Sequence, residues 1–113
     1  MKDLFKIQAD ISKPLASARR LEIIYALGEG EKSVAELISI LGLPKPNVSQ
    51  HLAALRASGM VTTRRSGVSI LYSIANPKIN QACELLREVM VEQFEESSRL
   101  MKSLDEARKK VRI

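Results

Sequence analysis

Apolar residues recur every three or four positions through most of this chain, and that spacing predicts α-helices. Residues 4–12 form a short amphipathic pattern, which we expect to end before Pro14 because the residue before a proline disfavours helical geometry. A second helix is predicted after Ser17, whose hydroxyl is an acceptable cap, and Gly28 and Gly30 stop it. The apolar residues of this helix are Leu21, Ile24, Tyr25 and Leu27.

Residues 33–58 have the pattern of a helix-turn-helix. The first helix is well marked, because Ser33 and Glu36 have the spacing of a capping box and Gly42 follows the last apolar residue. The second helix comes after a very short turn and ends at Gly59. One apolar stripe runs along it, formed by Val48, Leu52 and Leu55. Two helices joined by such a tight turn are typical of the motif.

The start of this second helix lacks a side-chain cap. Pro44 and Pro46 offer no side-chain oxygen to a free backbone N–H group. Proline nevertheless suits the first helical turn, where an N–H group is unpaired in any case, so we expect the helix to begin near Pro46. Residues 45–51 form its polar front, and we interpret the open first turn as a place for an outside partner.

Residues 61–74 change to the pattern of a β-hairpin. They are rich in β-branched residues, and Gly67 can supply the positive φ that a tight hairpin turn requires. Arg64 and Arg65 are expected near the tip of this hairpin.

A long helical pattern begins at Pro77 and continues to about residue 110. Gln93 and Ser97 interrupt its apolar stripe. No other predicted helix has this length, so the stripe is predicted to pack on a second subunit. The residues of the stripe are Ile79, Cys83, Leu86, Met90, Phe94, Met101 and Leu104.

The net charge is confined to one stretch of the chain. Residues 37–83 contain no Asp or Glu, and their five basic residues equal the whole formal net charge of +5. The other 13 basic residues balance all 13 acidic ones. A localised excess of this kind predicts a surface that faces a polyanion. The five basic residues are Lys45, Arg56, Arg64, Arg65 and Lys78.

Composition narrows the function classes further. With 113 residues the chain fits one domain, and its single cysteine cannot form an internal disulfide, which suits the reducing cytoplasm. We find no signal peptide and no membrane span. One histidine, one cysteine and no cofactor-binding loop leave no set of nucleophile and base, so neither an enzyme nor a bound cofactor is expected.

Four segments of the chain carry a resemblance to a known family. They are "RRLEIIYAL" at 19–27, "SVAELISILGL" at 33–43, "NVSQHLAALRASGMV" at 47–61 and "RRSGVSILYSI" at 64–74. Each is similar to a segment of the ArsR/SmtB family of small dimeric repressors, and the third is the most specific. The resemblance implies a mostly α fold with a small β-hairpin wing, a winged helix-turn-helix over residues 1–113.

Within this single domain, residues 33–58 would be the helix-turn-helix and residues 61–74 the wing. Residues 1–15 and 77–113 would be dimerisation helices. The resemblance also implies a cytoplasmic homodimer that binds double-stranded DNA at an inverted-repeat operator, with its two recognition helices about one turn of the duplex apart.

Candidate contacts follow from the chemistry of the base edges and phosphates. Lys45, Asn47 and Gln50 are expected to read bases, because amides can pair with adenine and Lys with guanine. Ser49 is expected to contact a base or a phosphate. The arginines Arg56, Arg64 and Arg65 are expected to hold the DNA backbone, and the two in the wing would reach either phosphates or an adjacent minor groove.

The sensing sites of the family are not intact in this chain. Members that sense soft metals carry "CVCDL" before the turn, where this chain has "SVAEL" at 33–37. Members that sense zinc at the dimer helix carry histidines and carboxylates, which the matching side chains here cannot replace. These matching positions are Asn76, Lys78, Val89 and Glu92. No metal site is therefore expected, and the inducer stays open.

Two residues have alternative interpretations. His51 either contacts a base or phosphate or packs between helices, and metal ligation is disfavoured because the chain has no second histidine. Cys83 lies on the apolar stripe of the long helix, where it is either a buried small hydrophobe or a reactive thiol that meets its counterpart across the dimer and acts as a sensor.

Two other functions are compatible with the same fold. One is a winged-helix module for protein interaction. In that case the polar face of the second helix of the motif faces solvent and contacts no DNA. The other is a nonspecific, nucleoid-type DNA binder without an operator.

Overall fold

The computed structural model describes residues 1–111 and contains five α-helices and three β-strands within that range. The last two residues of the predicted segment 77–113 lie outside it. A short 3₁₀ turn, Lys13–Leu15, follows the first helix. The elements are α1 (Lys2–Ser12), α2 (Ala18–Leu27), β1 (Lys32–Ser33), α3 (Val34–Leu41), α4 (Lys45–Ala57), β2 (Val61–Ser66), β3 (Ser69–Ile74) and α5 (Pro77–Val111). They form two compact units, residues 1–81 and the part of α5 from residue 82 onward.

Both predicted N-terminal caps of α2 and α3 are confirmed. The Ser17 side chain accepts a hydrogen bond from the Arg20 backbone N–H. At α3 the capping box is complete, because Ser33 Oγ accepts from the Glu36 N–H at 3.2 Å and the Glu36 carboxylate accepts from the Ser33 N–H at 3.1 Å. Gly42 ends α3 with a φ of 66°, a left-handed conformation that glycine adopts without strain.

The first unit has an aliphatic core to which α2, α3, α4 and β2 all contribute. The predicted stripe of α4 is confirmed, since all three of its residues are completely buried. These ten buried hydrophobic residues come from the described part of the chain: Ile23, Ile24, Ala26, Leu27, Leu37, Val48, Leu52, Leu55, Met60 and Val61.

The buried face of α2 differs from the one that its apolar residues suggested. Ile24 and Leu27 are buried as expected, but Leu21 and Tyr25 are 37% and 60% exposed. Ile23 belongs to the buried face instead. At 100° per residue, Leu21 and Tyr25 lie on the side of α2 opposite the core. Apolar residues occupy both sides of this helix, so its sequence alone does not select the core side.

The wing is a three-stranded antiparallel sheet in the order β1-β3-β2. The predicted hairpin is confirmed, with Ser66 paired to Ser69 around a two-residue turn in which Gly67 has a φ of 62°. The two-residue strand β1 was not predicted. It pairs with β3 through Lys32 and Ser33, and Ser33 then caps α3. One serine therefore joins the wing to the helix-turn-helix.

The two end helices contribute nothing to this core. Neither α1 nor α5 has a buried residue within the described chain. The long helix is confirmed as one continuous element of 35 residues, about 52 Å at 1.5 Å per residue. Leu86, Met90 and Phe94 on its stripe are all more than half exposed.

Candidate nucleic-acid interface

The recognition helix α4 presents a polar face above a buried row. Val48 and Leu52 lie against the core and fix the rotation of the helix about its axis. With that rotation fixed, the side chains predicted to read DNA are exposed. They are Lys45, Asn47, Ser49 and Gln50, and Arg56 is exposed in the last turn. Six of the eight predicted contacts thus lie on one helix, five of them exposed and the sixth, His51, half-buried.

Backbone hydrogen bonds satisfy two of the three N–H groups in the first turn of α4. The helix begins at Lys45, one residue before the expected Pro46, because the Pro44 carbonyl accepts hydrogen bonds from the Asn47 and Val48 N–H groups at 3.1 and 3.2 Å. Pro44 occupies the capping position without a side-chain hydrogen bond, as predicted. Within the described residues, Lys45 has the one N–H group of this turn without a partner. The turn is therefore open to an outside partner at a single backbone donor.

His51 is held by an arginine that the sequence did not identify. The Arg20 Nε–H group in α2 donates a hydrogen bond to His51 Nδ1 at 3.2 Å, and both residues are half-buried. A guanidinium has no lone pair, so Nδ1 must accept and the imidazole proton is assigned to Nε2. His51 thus packs α4 on α2. Its Nε2–H group is a donor for which a DNA phosphate is a suitable acceptor.

The two wing arginines point to opposite faces of the sheet, because successive strand side chains alternate. Arg65 is exposed and has no ion-pair partner among the described residues. Arg64 instead binds Glu31, with Nε donating to Oε2 at 2.7 Å and Nη2 donating to Oε1. The sequence predicts both arginines as DNA contacts, whereas in the structure Arg64 is bound by a carboxylate and Arg65 is not.

The Arg64–Glu31 pair also changes the electrostatic picture. The hydrogen bond from Arg64 is the main cause that lowers the pKa of the Glu31 carboxyl, and the same contact raises the pKa of Arg64. Residues 37–83 are free of acids in sequence, but the fold places the Glu31 carboxylate against one of their five cations. The positive surface is therefore smaller than the sequence indicated.

An open cavity of about 290 Å³ lies beside the base of the wing. It is bordered by the α2–β1 loop, the end of β3 and the start of α5, with Gly28, Glu31, Ser73 and Asn80 in its lining. The Asn80 Oδ1 atom is buried and has no hydrogen-bond partner within the described chain. A water molecule or another donor is the expected partner of such an oxygen.

The remaining features of residues 1–111 concern metal ions, the thiol and membranes. Among these residues no group of three or more His, Cys, Asp or Glu side chains could hold a metal ion. Cys83 is a free, half-buried thiol on α5. None of the helices in this range is both long and apolar enough to cross a membrane.

Comparison with known proteins gives one family and several relatives. Residues 17–63 match the model of the family described as bacterial regulatory protein, arsR family. The chain is similar to the HTH-type transcriptional regulator Rv0081 of Mycobacterium tuberculosis, with 41% identity over 88 residues and 77% of each chain covered. It is 39% identical to the transcriptional activator HlyU of Vibrio cholerae over 77 residues, 68% of this chain and 71% of the relative. A biofilm growth-associated repressor of Xylella fastidiosa is 38% identical over 85 residues, 75% of each chain.

Solved structures agree with the fold. The crystal structure of Rv0081 superposes with a TM-score of 0.75 at 38% identity, covering 82% of this chain and 94% of that one. The solution structure of the homodimeric winged helix-turn-helix DNA-binding domain of Mb0332 from Mycobacterium bovis gives a TM-score of 0.76 at 32% identity, covering 84% and 88%. The predicted winged helix-turn-helix architecture is thereby confirmed.

Proposed function

This chain belongs to the ArsR family of bacterial regulatory proteins, and on that premise we propose that it is a cytoplasmic repressor that binds an inverted-repeat DNA operator as a homodimer. The family and its relatives are DNA-binding transcriptional regulators and not enzymes. Membership of the family leaves open the DNA contacts, the oligomeric assembly, the operator and the direction of regulation.

The polar face of α4 carries the proposal. Asn47 and Gln50 are exposed on a helix whose opposite side is fully buried, so they can enter a major groove without disturbing the core. Their amides can each form two hydrogen bonds with an adenine, and Lys45 at the helix start can donate to a guanine. We assign Arg56 and Arg65 to phosphates, because both are exposed and unpaired among the described residues.

The apolar faces of α1 and α5 support assembly with a second copy. Leu4, Phe5 and Ile7 on α1 are all more than half exposed, as are most apolar residues of α5. An exposed stripe of this kind marks a surface for protein interaction. The M. bovis neighbour is a homodimer, and we propose the same state here, with residues 1–15 and 77–113 at the interface of a single functional domain.

The direction of regulation differs between the relatives. The X. fastidiosa relative is named a repressor and the V. cholerae relative an activator. We propose repression, since an operator that overlaps a promoter needs no further contact than DNA binding itself. A reporter gene placed behind the operator gives the sign, because deletion of the regulator raises expression for a repressor and lowers it for an activator.

The central experiment compares two glutamines. Genomic footprinting first identifies the operator, and the Gln50→Ala variant is then measured against Gln81→Ala. Gln81 is exposed and lies on the side of α5 opposite the apolar stripe. Gln50→Ala should weaken operator binding by about 1–3 kcal/mol and relax preference at one base pair, whereas Gln81→Ala should do neither. Equal loss on random DNA would contradict a role in base reading.

A salt titration separates this function from its rivals. A specific repressor shows a steep dependence of affinity on salt and keeps its preference for the operator. A nucleoid-type binder shows the steep dependence without the preference. A protein-interaction module shows neither, and a purified protein that stays monomeric would refute the proposed assembly.

A further inference from the structure

The Arg64 and Glu31 side chains meet between two segments that are not adjacent in the wing sheet. Arg64 is on β2 and is paired with Leu71 of β3, while Glu31 directly precedes β1 on the far side of β3. The two residues therefore belong to chain segments that are two strand spacings apart, about 10 Å, and their side chains together bridge this distance. The Arg64 guanidinium is thus turned toward the β1 side of the sheet, where Glu31 binds it.

The contact with Glu31 uses the edge of the Arg64 guanidinium that carries Nε and Nη2. Nε and Nη2 both donate to the Glu31 carboxylate, one to each oxygen. A phosphate binds a guanidinium with the same paired geometry as a carboxylate does. DNA can use this edge of Arg64 only after the carboxylate has left it, and the negative charge of Glu31 also opposes an approaching phosphate.

The pair is accessible and separable. The side chains of Arg64 and Glu31 are 58% and 37% exposed, and exposed ion pairs are weak in water. No burial locks the two groups together. The pair is thus weak enough for a competing anion to open it, yet it is the ground state of the wing in the absence of DNA.

We propose that Glu31 holds the wing cation Arg64 away from DNA and thereby sets how many phosphates the wing engages. This inference rests on the proposed DNA-binding function and adds a residue that lowers affinity. Glu31 is a positioning residue, since it acts through Arg64 and not by contact with DNA. Without the Glu31 carboxylate, the Arg64 side chain is free to turn from residue 31 toward a phosphate.

The chain offers a matched control two residues away. Glu29 lies in the same loop, is exposed, and its carboxylate forms no hydrogen bond or ion pair among the described residues. Glu29→Gln removes the same charge as Glu31→Gln from nearly the same place. Any difference between the two variants therefore reports the contact with Arg64 and not the change in net charge.

The experiment measures binding of the full chain to a random-sequence 30-base-pair duplex as a function of salt. Glu31→Gln should bind about two- to fivefold more tightly than Glu29→Gln, as expected for release of one exposed ion pair. Its logarithmic salt slope should be steeper by about 1, the increment of one added phosphate contact. In an Arg64→Ala background the two glutamine variants should bind alike. Circular dichroism verifies that each variant is folded.

Three outcomes would overturn the inference while leaving the proposed DNA binding intact. Equal affinity and slope for Glu31→Gln and Glu29→Gln would show that the pair does not restrain Arg64. Weaker binding by Glu31→Gln would show that Glu31 orients Arg64 toward DNA instead. A difference that persists in the Arg64→Ala background would show that Glu31 acts by another route. A wild-type chain that binds no duplex even at low salt would remove the proposed function itself, and this inference with it.

Discussion

The capping box of α3 provides the sharpest stability prediction. This helix has eight residues, a length that is marginal without support from its ends or its packing. Two reciprocal hydrogen bonds close its N-terminus, one to the Ser33 hydroxyl and one to the Glu36 carboxylate. Ser33→Ala removes the first bond and leaves the Glu36 N–H group without its acceptor. Because α3 is the first helix of the helix-turn-helix, its stability bears on the recognition helix that packs against it.

The expected magnitude follows from comparable caps. Replacement of an N-terminal serine cap by alanine destabilises a protein by about 0.5–2 kcal/mol, typically about 1. Glu36→Ala removes the second bond and also an acidic charge in the first turn, which is worth about 0.3–1 kcal/mol near a helix start. Since each side chain orders the other, the double variant should lose less than the two single losses combined.

Urea unfolding at a fixed protein concentration measures these differences. Ser39→Ala is the matched control, because Ser39 is an exposed residue of the same helix with no capping role. Alanine is the better helix former at such a position, so the control should be neutral or slightly stabilising. If Ser33→Ala and Ser39→Ala unfold within about 0.3 kcal/mol of each other, the capping argument is wrong.

Four further predictions concern the core, the wing and the missing sensor. Leu52→Ala should lower the unfolding free energy measured in urea by about 2–5 kcal/mol, because its side chain is completely buried. Arg65→Ala should weaken binding to all duplexes alike and flatten the salt slope by about 1, and an unchanged slope would exclude the wing from the contacts. Folding lowers the pKa of Glu31 from its ordinary value of 4.5. The pair with Arg64 should therefore stabilise the protein above pH 4.5 and cease to do so as the pH falls through the lowered pKa. A stability difference between wild type and Glu31→Gln that remains at the acid end of a urea–pH series would argue against this. Zinc, cadmium or arsenite should leave DNA affinity unchanged in a binding titration, and a stoichiometric effect would reveal a ligand set that the sequence comparison missed.

Local signals predicted the helix-turn-helix well because their physics is local. The Ser33–Glu36 spacing, Gly42 and the stripe of α4 each act over one or two helical turns, and all three are confirmed. The lack of a side-chain cap at the start of α4 is confirmed as well, although the helix begins at Lys45 and not at the expected Pro46. Each of these features depends on residues only a few positions away, so the local sequence is enough to predict it.

The features that the sequence missed depend on distant partners. Arg20 and His51 are 31 residues apart, and Glu31 and Arg64 are 33 apart, so nothing in the local pattern links them. The strand β1 has only two residues, too few to show an alternation. It exists because β3 offers a free edge to it. The charge of residues 37–83 depends on a distant partner in the same way, because Glu31 lies outside this segment in sequence but binds Arg64 within it.

The end helices connect the hydrophobic pattern to DNA recognition. A helix as long as α5 normally derives its stability from packing of its apolar face, yet no residue of that face is buried within the described chain. Full burial of one Leu, Met or Phe side chain contributes about 1.5–3 kcal/mol, so a second copy that covers Leu86, Met90 and Phe94 would supply a large part of the missing stabilisation. Under the proposed function, a single α4 would present three base-reading side chains and would read one half-site. In the proposed homodimer, two recognition helices joined through the end helices would read both half-sites at a fixed spacing. Under this proposal, the apolar stripe of α5 determines operator affinity together with the polar face of α4.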